Sequence, residues 1–212
     1  MHTLFGSLCS GSAAVEMALA ICRVPFREVR ASTWEADSAQ AELRQHNPLG
    51  QIPTLLLPDG SVLTESAAIL IHLGLSNPAS GLLPAHEAAR AQAVRGLVYI
   101  AANCYAAIGV IDYPERWIEA GDKAEHDRMR AGTRMRLHTL WEQFADQFPA
   151  EPYLGGATIG ALDLLAVVVS RWSGTRAHMA AQRPAFAQTL KLIESNELVL
   201  HVLKRHWPKE YA

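Results

Sequence analysis

Apolar and polar positions change rhythm once along this chain, near residue 80. Before that point, short runs of β character alternate with helical segments. Thr3 to Phe5 reads as a strand, Ser12 to Cys22 as a helix, and Phe26 to Arg30 as a strand in which apolar and charged residues alternate. The polar segment Asp37 to His46 suits a helix. It is broken by Asn47-Pro48-Leu49-Gly50, because the residue before a proline is pushed out of the α region and Gly50 tolerates positive φ. Thr54 to Leu57, the turn Pro58-Asp59-Gly60 and Ser61 to Leu63 predict a β-hairpin, and Glu65 to Leu75 a closing helix. The order βαβ, helix, hairpin, helix predicts a small mixed sheet covered by helices.

Asn77-Pro78-Ala79-Ser80-Gly81 and Pro84 mark a linker. From about Glu87 onward only helical patterns remain: Glu87 to Val110, Lys123 to Phe148, Ala161 to Ser173, Ala185 to Glu194 and Glu197 to Arg205. The expected organisation is therefore a mixed α/β domain over 1–78, a linker over 79–87 and an all-helical domain over 88–212, with no internal repeat.

Half of the 212 residues are hydrophobic, enough for a sizeable core. Lys and Arg number 19 against 21 Asp and Glu without runs of one sign, so no nucleic-acid partner is expected. Three cysteines, Cys9, Cys22 and Cys104, form no CxxC pair and leave an odd thiol, which argues for a reducing, cytoplasmic setting. The apolar N-terminal stretch lacks a basic leader and is interrupted by Glu16, so secretion is not expected. The strongest apolar run, Ala161 to Val169, falls short of the ~20 residues that span a bilayer, and no membrane association is expected. Nine histidines are scattered without ligand spacing, so no metal is expected.

Candidate chemistry starts in Ser7-Leu8-Cys9-Ser10-Gly11-Ser12, directly before a helix. The unpaired N–H groups and the positive dipole end of a helix stabilise an anion at such a junction. There a cysteine gains thiolate character, and a serine hydroxyl can hold a substrate thiolate ionised. Helix capping accounts for a serine equally well, and Ser12 is the expected cap, with Glu16 one residue beyond the capping-box position. Glu16 also weighs against a thiolate at Cys9. Further on, Pro53 stands at the head of a strand that should be central. Either Ile52-Pro53 is cis, which leaves the Ile52 backbone free to pair with an extended ligand, or the strand is an edge. Glu65 and Ser66 occupy a second strand-to-helix junction, where a carboxylate and a helix N-terminus suit an amino-acid head group.

The string Asn47-Pro48-Leu49-Gly50-Gln51-Ile52-Pro53-Thr54-Leu55, followed by Leu63-Thr64-Glu65-Ser66-Ala67-Ala68-Ile69, resembles the glutathione-binding half of cytosolic glutathione S-transferases. Ser80-Gly81-Leu82-Leu83-Pro84 and Pro152-Tyr153-Leu154-Gly155-Gly156 leading to Asp163 extend the resemblance over nearly the whole chain. It implies a thioredoxin-like N-terminal domain followed by an all-helical one, a homodimer, and glutathione as co-substrate. By the same resemblance, Gln51 and the backbone of Ile52, with Pro53 cis, would hold the cysteinyl and glycyl part, and Glu65 and Ser66 the γ-glutamyl end. Cys9 falls on the position of the catalytic serine of theta- and zeta-like classes and of the cysteine of omega-like enzymes. Bacterial sequences of similar appearance instead make Ser10 the stabiliser of the thiolate. The tyrosine of the alpha, mu and pi classes has no counterpart, since the first strand ends in Phe5-Gly6.

The resemblance thus implies conjugation of glutathione to a small apolar electrophile, with Ser10, Cys9 and Ser12 as the candidate catalytic set, in that order. Asn103 and Tyr105 would line the acceptor pocket, while Cys104 fits a buried small hydrophobe. Two other readings stand beside this one: a glutathione-dependent thiol-disulfide oxidoreductase using Cys9, and a noncatalytic glutathione-binding protein. Gly160 stands where relatives have a Ser or Thr cap, and Asp163 is expected to bond back to the Gly160 N–H as a folding element.

Overall fold

The computed structural model describes residues 1–211. Strand β1 (His2–Gly6) runs parallel to β2 (Phe26–Arg30), with Leu4 opposite Glu28. On its other side it pairs antiparallel with β3 (Thr54–Leu56), with Leu4 opposite Leu55. β3 pairs antiparallel with β4 (Val62–Thr64), so the order is β2-β1-β3-β4. A parallel pair needs a crossover, and helix α1 (Ser12–Ile21) supplies it. Helix α2 (Gln40–His46) covers one face through Leu43 against Phe5 and Ala31. Helices α1 and α3 (Ser66–Ser76) cover the other. This is the small mixed sheet covered by helices expected from the pattern, and the thioredoxin-like half that the resemblance implies.

The rest is helical: α4 (Glu87–Tyr99), a π-helical stretch (Ile100–Tyr105), α5 (Ala106–Asp112), α6 (Lys123–Gln147), α7 (Ala161–Val169), α8 (Thr175–Gln182), α9 (Pro184–Glu194) and α10 (Glu197–His206). Two departures from the sequence expectation have local causes. The helix expected to reach Ser173 stops at Val169, and Ser173 and Gly174, at φ of 58° and 76°, then turn the chain into α8. Helix α8 escaped the reading because its sequence, TRAHMAAQ, buries only Thr175 and Met179 and carries little apolar rhythm.

Helix α1 joins the two halves. Every residue from Ser12 to Leu19 is buried, and the helix packs against α3, α7 and α10. A helix apolar on all sides belongs in a core, and α7, buried along its whole length, is its counterpart from the helical half. One core runs without a break from Leu4 and Val15 through Leu70 to Leu97 and Leu165.

The segment Glu87–Asp112 is a continuous run of 26 residues, long and apolar enough to pass for a membrane span, which the shorter run considered in the sequence is not. A third of its apolar window is buried within the fold, and it packs on α6 and α7.

Asp163 fixes the start of α7. Its carboxylate accepts from the backbone N–H of Leu154 (2.8 Å), Gly155 (3.3 Å) and Gly160 (2.9 Å), which includes the bond expected from the sequence. Burial pushes its pKa up to about 6, opposed by these three donors. Replacing Asp163 by Ala strands three N–H groups in the core and should cost about 3 kcal/mol in chemical denaturation, with Asp163→Asn losing less. A loss under about 1 kcal/mol would contradict this account.

Candidate functional site

The turn from β1 into α1 is a closed knot of hydrogen bonds. Ser10 Oγ lies 2.8 Å from both the Ser7 carbonyl and Ser12 Oγ and accepts from the Ser12 N–H at 3.2 Å. Ser12 Oγ donates to the Ser7 carbonyl at 3.1 Å and accepts from the Ser7 N–H at 3.2 Å. Ser12 is therefore not the cap expected from the sequence. Gly11 is the N-cap, and Ser12, fully buried as the first helical residue, fastens the loop back on itself. Ser12 also does not line the cleft described below.

Cys9 precedes the knot with φ of 58°, an unusual conformation for a side-chain-bearing residue. Its thiol donates to the His206 carbonyl at 2.9 Å. Burial, and then the nearby Glu210 carboxylate, raise its pKa above the usual thiol value, against the pull of Arg171 and Lys209. The carboxylate acting on it is Glu210, and not Glu16 as the sequence suggested.

The second wall is built from residues 47–54. The Asn47 amide donates to the Gln51 carbonyl (3.1 Å) and Thr54 Oγ1 (3.0 Å), and Thr54 Oγ1 donates to the same carbonyl (2.8 Å). Asn47 and Thr54 hold Gln51-Ile52-Pro53 in place, a supporting role the sequence did not announce. The Ile52-Pro53 bond is cis. Glu65, the N-cap of α3, sits at φ 64° and ψ 114°, and Ser66 opens the helix. Non-glycine residues at positive φ concentrate at binding sites because the surrounding structure must hold them there.

These pieces meet in one cleft of about 620 Å³ that gathers Cys9, Ser10, Gln51, Ile52, Pro53, Glu65 and Ser66. The helical half contributes Ala101, Tyr105, Ala106, Ile108 and Trp172 to its far wall. Tyr105 stacks on Trp172 at 5.5 Å between ring centroids. Asn103, expected beside it, does not line the cleft, and its amide bonds back to the Tyr99 carbonyl at 3.1 Å. Positions two apart on a helix lie about 200° apart, so both could not face one cavity. Cys104 is fully buried, as expected, and its thiol pKa is pushed up to about 12 by burial. The sequence reading missed Trp34, Gln40, Asp112 and Trp172, all in the wall. Trp172 alone left a signal, as an aromatic just past an apolar helix.

A family model described as glutathione S-transferase, N-terminal domain, matches residues 8–74, the segment that carries most of this geometry. The uncharacterized GST-like protein YncG of Escherichia coli (strain K12) is 31% identical over 173 residues, covering 81% of this chain and 82% of its own. The chain belongs to the glutathione S-transferase family. Glutathione S-transferase GstA of Escherichia coli O157:H7 is 30% identical over 131 residues, covering 60% of this chain and 59% of its own. Among solved structures, a glutathione transferase homolog from Sulfitobacter with bound glutathione superposes with a TM-score of 0.84 at 24% identity, covering 97% of this chain and 98% of that one. A sphingomonad glutathione S-transferase complexed with glutathione gives 0.76, also at 24% identity, with 96% and 98% covered. At that identity the likeness establishes the glutathione S-transferase fold.

Within this family member, a partly buried charge cluster ties the C-terminal helix to α1. Glu16 Oε2 is bound by Arg205 and lies 2.8 Å from His206 Nε2, and Arg205 also reaches Glu28 at 2.6 Å. Glu16, Glu28 and His206 bring ligand-type atoms within 4.8 Å of one another, but Arg205 already supplies their positive charge. Burial raises the Glu16 pKa, and the His206 and Arg205 contacts outweigh it, so the carboxyl titrates below its usual value. A lowered folded-state pKa contributes stability that is present above the unfolded value near 4.3 and is lost as pH falls through the folded one. Glu16→Gln should cost about 3 kcal/mol at neutral pH and make acid unfolding less steep, so that the gap to wild type narrows as pH drops below about 4. Parallel curves across that range would contradict it.

Proposed function

We propose that this protein is a glutathione transferase, binding glutathione in the cleft, holding its thiol ionised at the N-terminus of α1 and directing it at a small apolar electrophile. One observation carries the reading. The Gln51–Pro53 loop, the Glu65-Ser66 junction and the residues leading into α1 line one cleft whose opposite wall sets Ala101, Ala106 and Ile108 beside Tyr105, Trp172 and Asp112. The Ile52 backbone offers a strand-like partner to the peptide. Glu65 pairs with the γ-glutamyl ammonium, and Ser66 at the start of α3 takes its carboxylate. The thiolate attacks the electrophilic carbon, a carbon–sulfur bond forms, and the leaving group departs with its electron pair.

The redox reading through Cys9 is less well supported, because that thiol is engaged by the His206 carbonyl and shifted away from thiolate character. Glutathione at about a hundredfold its dissociation constant should stabilise the fold by about 2.7 kcal/mol. Glu65→Ala should weaken binding by roughly tenfold or more, and Cys9→Ser should keep conjugation of a chromogenic aryl halide. No thermal protection by millimolar glutathione would sink both enzyme readings. Protection without conjugation of any electrophile would favour a binding protein.

A homodimer is part of the same proposal. Leu75 on α3, Val98 on α4 and Met135 on α6 are 57%, 50% and 72% exposed, large apolar side chains of the kind a second copy would cover. Sedimentation should give twice the 23.2 kDa of the chain, and Val98→Asp should shift the protein toward monomer. A wild-type monomer at micromolar concentration would reject the dimer.

A further inference from the structure

A thiol ionises in a protein when donors favour its charged form. At this turn the obvious donor is already occupied. The Ser10 hydroxyl, on a residue only 5% exposed, is shared with the Ser7 carbonyl and Ser12 Oγ, and turning it to a ligand means competing with both. The first strand offers no phenol. The helical half sends one across the cleft.

Tyr105 ends the π-helical stretch Ile100–Tyr105, a feature that re-aims side chains and recurs at functional sites. Its ring is clamped against Trp172, and its hydroxyl reaches the active-site turn so closely that a Cβ at Gly11 would lie 2.4 Å from Oη. The Gly11 φ of −61° is ordinary for any residue, so what excludes a larger residue there is the phenol itself. Among the described residues no acceptor takes the Tyr105 hydroxyl proton, and Tyr105 lines the same cleft as Cys9 and Ser10.

We propose that Tyr105 is a catalytic residue whose hydroxyl donates a hydrogen bond to the glutathione sulfur and holds it as a thiolate, a role that rests on the cleft being the glutathione site. Burial pushes the phenol pKa up to about 12, so it stays a neutral donor at neutral pH, while the Gly11 amide acts in the opposite sense. The thiol proton leaves to water through the open cleft, Tyr105 keeps its own, and the sulfur lone pair is free to attack carbon. The family phenol missing from the first strand is thereby supplied from the other half of the chain.

The test is an ultraviolet titration of the thiolate of glutathione bound to the full-length protein, with affinity followed by calorimetry. Tyr105→Phe should raise the apparent pKa of the bound thiol by roughly one to two units and lower kcat/KM for conjugation at neutral pH by roughly tenfold or more, with little change in glutathione affinity. Ser10→Ala should move the titration less. Gly11→Ala, which pushes the phenol off the turn, should reproduce the rise and add nothing further in the Tyr105→Phe background. If wild type lowers the thiol pKa and Tyr105→Phe leaves it in place, or Ser10→Ala carries the whole shift, the assignment to Tyr105 falls while the glutathione reading stands. A wild-type titration no different from free glutathione overturns both.

Discussion

The burial of α1 is the constraint on which the rest depends. A helix with eight consecutive buried residues cannot shift or rotate without opening the core on the sheet side, the α3 side and the α7–α10 side together. Its N-terminus is therefore one of the best-fixed points in the molecule, and the β1–α1 turn inherits that rigidity. The Arg205–Glu16–His206 cluster extends the constraint by bringing the end of α10 to the same helix, and the His206 carbonyl to the Cys9 thiol. Groups held this firmly act on a ligand without reorganising when charge develops.

The same turn separates two ways of being polar in an apolar place. The Ser10 and Ser12 hydroxyls are satisfied by each other and by the Ser7 backbone, and the Ser7 hydroxyl donates to Glu35, which lets three hydroxyl-bearing residues sit in the core at little cost. Tyr105 lines the cleft with a stacking partner, and among the described residues no acceptor takes its hydroxyl proton. Self-satisfied groups build the site, and an uncommitted donor is the one with something to offer a ligand.

Much of the fold was legible in the sequence because its signals are local. Phe26–Arg30 was bounded to the residue, and the Pro58-Asp59-Gly60 turn placed the hairpin. The Gln51–Pro53 loop was legible because its residues are contiguous. What escaped depended on geometry that arises only after packing. The π-helical turn changes which side chains meet the cleft, so Asn103 and Tyr105 could not be told apart in advance. Trp172 and Asp112 come to the wall from distant segments. The role of Ser12 inverted because a serine before a helix has the same appearance whether it caps the first turn or fastens the loop, and only the Ser7 contacts decide between them.

Two residues at positive φ, Cys9 and Glu65, flank the cleft at the starts of α1 and α3. A non-glycine residue in that region costs about 1–3 kcal/mol, so each must be held by its surroundings. For Cys9 the thiol bond to the His206 carbonyl and the serine knot after it do the holding. For Glu65 the following helix, buried at Ser66 and Ala67, fixes the chain beyond it. In both places the conformation turns the chain sharply at the mouth of a helix. The strain is thus spent at the wall of the cleft, and a glycine at either position would relax the backbone and loosen the turn with it.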